Sequence, residues 1–165
     1  MSRIDGGGER KAGPALYHLM LALWVGGMFM YTFLVTPLIF KYFARDTASA
    51  IVDRLFPFYF PYNLVVVVLA FGFFLLSGLK GARQKLSRVL LIAAILIGLF
   101  VNVGLYPEIK KTKREIASFE KDSVYSPARK RFRTLHGISM TLNLILLADG
   151  VALIVMGSFH GKRGK

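Results

Sequence analysis

His136, Ser139 and Asn143 recur at i, i+3 and i+7, with Gly150 continuing at i+14, so they fall on one stripe of a helix. With Asn102 and Asn63 they supply an imidazole, a hydroxyl and three amides, neutral groups suited to hydrogen-bonding a ligand or a neighbouring helix. They make a poor metal site, because neither a carboxylate nor a second histidine accompanies the imidazole. The chain has no cysteine, which removes disulfides, thiol catalysis and thiolate-held metal or iron–sulfur sites together. Two titratable residues stand apart from the stripe, His18 and Asp149, and these are the candidates for proton transfer or heme ligation. Nothing in the set forms a recognisable catalytic constellation, so the chain reads as a non-enzyme.

What gives these residues weight is where they lie. No Asp, Glu, Lys or Arg occurs between Lys11 and Lys41, from Leu55 to Leu79, or from Val89 to Pro107, and Thr134 to His160 holds only Asp149. A bilayer core about 30 Å thick needs about 20 apolar residues at 1.5 Å rise. Lipid offers no partner to backbone N–H and C=O groups, so such runs must be helical. The expected fold is an all-α membrane protein: an up-down bundle of four transmembrane helices, with short interfacial helices in the first and third connections. The spans are expected at about 15–40, 58–79, 88–106 and 133–158. A basic tail at 1–14 precedes them and another, 159–165, follows. The first apolar run far exceeds a signal-peptide core and lacks a small-residue cleavage site, so it reads as a retained span.

Alternating direction sorts the polar residues by depth. Let side A hold the two termini and side B the first and third connections. Asn102, His136, Ser139 and Asn143 then approach side B, as do Thr32 and Thr36 on span one and Tyr59, Tyr62 and Asn63 on span two. Pro37 adds a free acceptor, the carbonyl of Phe33, which proline cannot bond. Such a cluster is either a binding site or interhelical glue, whose bonds average about 0.6 kcal/mol in membrane bundles. His18 and His136 begin antiparallel spans, so most of the membrane separates them and one heme iron cannot take both. Asp149 lies nearer side A, with His18 the titratable group closest in depth. Water cannot solvate a carboxylate there, so it is expected to be protonated or hydrogen-bonded, and intramembrane acids often mark proton routes. Gly26 and Gly27 permit close helix approach, with His18, Ala22, Gly26 and Phe29 on one face.

The connections carry the charge. A formal net charge of +13 could suggest nucleic acid, but all the basic residues flank spans, where anionic headgroups attract them. No aromatic-rich soluble platform for stacking bases accompanies them. The expected partners are therefore anionic lipid and a second copy or another membrane protein, and not nucleic acid. Side B has slightly more Lys and Arg than side A, which favours a cytoplasmic side B. Gly78 to Ser87 reads as a short hairpin. In the first connection Asp46 can cap a helix with Ala48, Ile51, Val52 and Leu55 on one face, before Pro57 and Pro61 break or redirect it. In the third, Ile109, Ile116 and Phe119 suit a helix in the headgroup plane or, equally, a solvated loop. Ser126-Pro127 reads as an N-cap with N1 proline.

The run from His18 to Phe43, then "RLFPFYF" at 54–60, Asn102, "YPEI" at 106–109 and "RFRTLHGISMTLN" at 131–143, resembles the transmembrane protein 205-like family. That resemblance implies a four-span membrane domain whose bacterial members have no established activity; a bacterial cytoplasmic membrane is the expected location. Eukaryotic members are linked to secretory-membrane trafficking and platinum-drug tolerance. The His–Trp–Gly–Gly opening is more distantly similar to copper-resistance D-type bundles and to the heme-associated protoporphyrinogen oxidase of bacteria. The oxidase uses a histidine in its first span and a lysine in its third, and here Val89 to Pro107 contains no lysine. The leading expectation is a small binding or transport-accessory protein with a polar site inside the bundle and no predicted cofactor. The alternative is a redox protein or enzyme holding heme b.

Overall fold

The computed structural model describes residues 9–77, 82–120 and 126–158. Residues 1–8 of the N-terminal tail, 78–81 at the start of the 78–87 hairpin, 121–125 and the whole C-terminal tail at 159–165 lie outside these. Among the described residues every element is helical, and four stretches are long and apolar enough to cross a membrane: Ala12–Tyr42, Arg45–Leu76, Gln84–Arg114 and Pro127–Gly157. The protein is a multi-pass integral membrane protein. Each span packs against the next, and the fourth closes on the first, giving an up-down square.

Odd and even spans are built differently. Span two is the single helix α3 (Arg45–Leu76) and span four the single helix α6 (Pro127–Ser158). Span one runs as α1 (Glu9–Met30), a π-helical turn at Tyr31–Val35, and α2 (Thr36–Tyr42). Span three repeats the plan with α4 (Ala82–Leu99), a π turn at Phe100–Leu105, and α5 (Tyr106–Arg114). Each wide turn stands two residues before a proline, Pro37 or Pro107. Thr36 N–H reaches back five residues to Tyr31 O, and Tyr106 N–H likewise to Val101 O. The wider turn makes room where a proline ring would press on the preceding turn, so the helix passes the proline without ending.

The connections depart from expectation in how their helices are joined. The helix of the first connection is the opening of α3, which starts at Arg45 and runs through Pro57 and Pro61. Both prolines lie on the exposed side of α3, while Val52, Phe60 and Asn63 on the other side are buried. The lost bonds therefore fall on the face that packs least. Asp46 does not cap this helix, whose N-cap is Ala44. Its carboxylate instead accepts from Phe119 N and Ser118 Oγ of the third connection, each at 2.6 Å. That connection is helical only to Arg114, so Phe119 belongs to a turn and not to a headgroup-plane helix. Ser126 caps α6 as its residue type suggests, its hydroxyl accepting from Arg129 N at 3.3 Å.

Candidate functional site

The stripe on α6 extends further than its polar part, through His136, Asn143, Gly150 and Gly157 at successive sevens, and it faces span one. Towards side A it is glycine. A Cβ on Gly157 would lie 2.5 Å from His18 Nε2, and one on Gly150 would lie 2.5 Å from Val25 Cγ2 and 3.3 Å from the Trp24 ring. Span one thus sits against bare α6 backbone here, above a core of Tyr17, Leu21, Trp24, Phe74, Leu91 and Leu153. Towards side B the stripe turns polar. Asn143 Nδ2 donates to Thr32 Oγ1 at 2.9 Å, and its Oδ1 accepts from Tyr59 OH at 2.6 Å. One amide ties spans one, two and four.

Asn102 sits on the π turn of span three. Its Nδ2 donates to Gly98 O at 2.8 Å and, across the interface, to Phe60 O of span two at 3.3 Å. Asn63 donates to Tyr59 O at 2.8 Å, but its Oδ1 is buried with no partner among the described residues. A small void of about 20 Å³ lies among Asn63, Asn102, Ser139 and Asn143, with Trp24 on its wall. One water fits such a space, and these polar groups supply the two to four partners it needs.

Two larger cavities occupy the side-B half. The inner one, about 270 Å³, lies between spans one, two and four and is lined by Tyr31, Thr32, Phe56, Tyr59, Ser139 and Asn143 among others. Its rim includes Phe33, Met140 and Leu144, each about half exposed, so it opens sideways toward lipid. The Tyr31 hydroxyl is buried without a hydrogen bond of good geometry among the described residues, although Thr36 stands next to it. The outer cavity, about 250 Å³, lies at the headgroup level among Arg45, Ser49, Asp53, Lys113, Phe119 and Arg129. Thr36, Phe56 and His136 line both, so the two adjoin. The His136 ring stacks on Phe132 at 5.6 Å and makes no hydrogen bond among the described residues.

The outer cavity is held by ties between connections. Lys113 Nζ pairs with Asp53 at 2.5 Å and donates to Ser49 O at 2.9 Å. Arg129 Nη2 donates to Phe119 O at 3.0 Å. Both cations also lie near the Phe119 ring, at 5.9 and 5.7 Å from its centroid, and Phe119 meets Phe132 edge-on at 5.2 Å. Phe119 therefore forms a wall that Asp46 fixes from the other side.

The candidates named from sequence divide accordingly. Asn102, Asn63, Ser139 and Asn143 share the small void, while His136, Ser139 and Asn143 line the inner cavity. Sequence alone places none of Tyr31, Asp53, Lys113, Phe119 and Arg129 in a site, Phe119 being read only as part of an interfacial helix or loop; the one signal is that charged and aromatic residues cluster at the B ends. His18 is elsewhere. Its Nδ1 bonds Pro14 O at 2.7 Å and its Nε2 abuts Gly157, so neither ring nitrogen has room for an iron and the surroundings do not fit heme. Along α6, Gly157 and His136 are roughly 30 Å apart at 1.5 Å per residue. Asp149 is half-buried, and its Oδ1 is buried with no hydrogen-bond partner among the described residues. Gly27 receives the Tyr62 ring, as a packing glycine should, whereas a Cβ on Gly26 would meet open space. Gly26 packs on nothing among the described residues, and its expected face with Ala22 and Phe29 is exposed in the single chain.

Comparison with known proteins adds family but not activity. A family described as "Domain of unknown function (DUF4149)" matches residues 19–118, more than half of the chain. An uncharacterized protein of Aquifex aeolicus (strain VF5) is 28% identical over 140 residues, covering 83% of this chain and 92% of that one. No solved structure matches.

Proposed function

The chain belongs to the DUF4149 family, and from that premise and the geometry above we propose that it is a small-molecule binding or transport-accessory protein of the membrane. The observation that supports this reading is the pair of adjoining side-B cavities, about 270 and 250 Å³, joined at Thr36, Phe56 and His136. Together they fall within the size range of small-molecule sites, and the mix of aromatic walls with few polar groups is that of a ligand pocket. Tight interhelical glue would leave no such space. The Tyr59–Asn143–Thr32 relay then has two roles, holding three spans together and presenting hydroxyl and amide groups at the inner wall. The narrower likeness to the transmembrane protein 205-like family, carried by the motifs from His18 to Asn143, belongs to the same proposal. So do a bacterial cytoplasmic membrane as the location and a cytoplasmic side B; the bacterial relative supports the first and the Lys and Arg count the second.

The reading is tested by filling the inner cavity. Ser139 is buried and lines it, so Ser139→Leu adds volume there without cutting the relay. Small molecules co-isolated with the parent protein and identified by mass spectrometry should be lost from this variant and from Met140→Trp. Retention of the same molecules by both folded variants would remove the cavity as the binding site.

A further inference from the structure

We propose that the occupant is an anionic single-chain amphiphile drawn from the membrane, its chain in the inner cavity and its charged head in the outer one. This rests on the binding reading above and specifies what is bound.

Three features converge on that class. The inner cavity is bounded mainly by aromatic and aliphatic carbon, and its rim at Phe33, Met140 and Leu144 faces lipid. A chain can enter sideways from the bilayer without passing through water. The outer cavity lies where headgroups are, and three cations line it, Arg45, Lys113 and Arg129, with Asp53 the one carboxylate among its lining residues. Lys113 takes Asp53 and Arg129 has partners of its own, which leaves the Arg45 guanidinium as the lining cation for an anionic head. Glu120, which accepts from Arg45 N at 3.0 Å, is exposed, as Arg45 is, and Asp46 is tied to Phe119; neither carboxylate is among the lining residues. A free inorganic anion would use the outer cavity and leave the inner one without an occupant. A neutral oil would do the reverse. An amphiphile with a phosphate or carboxylate head uses both, and the shared residues Thr36, Phe56 and His136 stand where head meets chain.

The Asp46 tie sharpens this placement. Phe119 is pinned by Asp46 through its backbone and flanked by Lys113 and Arg129, so the wall carrying two of the three cations is ordered by bonds between the first and third connections. The head site is therefore preorganised, which lowers the ordering cost of binding.

The test uses the full-length protein in phosphatidylcholine nanodiscs, with radiolabelled dodecyl phosphate counted above empty discs. Saturable binding is expected, with dodecanol at least tenfold weaker and inorganic phosphate unable to compete at equal concentration. Arg45→Gln should weaken dodecyl phosphate about fivefold, as expected for one juxtamembrane cation, and leave dodecanol unchanged. Ser139→Leu should weaken both. If Ser139→Leu abolishes binding but dodecanol matches dodecyl phosphate and Arg45→Gln has no effect, the anionic-head proposal is overturned and the cavity reading survives. If inorganic phosphate displaces the label fully, the occupant is a free anion and the amphiphile proposal fails. If Ser139→Leu changes nothing, both proposals fall together.

Discussion

Spans one and four meet along a single stripe of α6, yet its two ends are built on opposite terms. At side A the stripe is Gly150 and Gly157, and span one lies directly on their backbone. At side B it is Asn143 and His136, whose side chains must fit between the same two helices. Small residues let helices approach and large polar ones hold them apart. The interface is thus a wedge, closed by glycine at one end and opened by the relay at the other, and the inner cavity lies in the open end. The π turns reinforce the difference. They occur in spans one and three, both in the side-B half, and they carry Tyr31, Thr32 and Asn102 into it. Wide turns of this kind recur at functional sites in other proteins. A binding site in a small bundle needs one half that is fixed and one half that leaves space, and this chain separates the two along its length.

The closed end is the more sensitive of the two to substitution. Gly150→Val places its Cβ within 2.5 Å of Val25 Cγ2, a short branched group that cannot swing away, and near the Trp24 ring. Overpacking of this kind costs about 1–3 kcal/mol, occasionally more. We expect this to be the largest single effect in the bundle, read as a lowered midpoint of unfolding in mixed micelles. At the open end, Asn143→Leu removes two interhelical bonds and leaves the Tyr59 and Thr32 hydroxyls to find other partners. Membrane double-mutant cycles put such bonds at about 0.6 kcal/mol on average and 1.7 at most, so a loss of about 1–2 kcal/mol is expected. If Asn143→Leu proves the more damaging of the two, the relay and not the glycine contact is the principal tie between these spans.

That ordering bears on what could be read from the chain before its structure. The charge-free runs specify the four spans because a bilayer admits only helices there, and depth alone gathers Asn63, Asn102, Ser139 and Asn143 correctly. His136, Asn143 and Gly150 were legible as one stripe, but Gly157 completes it only once span one is seen to pack on it. The π turns have no composition signal apart from a proline two residues later, and elsewhere in this chain proline means something else. Pro57 and Pro61 sit on an outer face of α3, and the helix runs on through them. Lys113–Asp53 and Asp46–Phe119 bring together connections far apart in sequence, and no periodicity encodes such a meeting. Charged residues at the B ends read only as headgroup anchors until the outer cavity between them was visible.

The smallest effect separates two adjacent residues that look equivalent in sequence. Gly26 and Gly27 are one residue apart, about 100° around α1. A Cβ on Gly27 would lie 2.8 Å from Cε1 of Tyr62 and 3.0 Å from its hydroxyl. That hydroxyl donates to Leu23 O at 2.9 Å, so the ring is tethered at its tip. Gly27→Ala should therefore weaken the contact of spans one and two, by less than Gly150→Val because an aromatic ring on a flexible stem can still tilt. Gly26→Ala meets nothing within 4 Å. In water such a change on a helix would gain about 1 kcal/mol from propensity. In a bilayer the separated span is already helical, since lipid leaves its backbone no alternative. Folded and unassembled states then gain alike, and the net change should be close to zero. Measured in the same micelles, Gly27→Ala should lower the unfolding midpoint while Gly26→Ala leaves it in place. A comparable loss from both would mean that the Gly26 face is covered in the assembled protein, by a second copy or another membrane protein, and that lipid is not its neighbour.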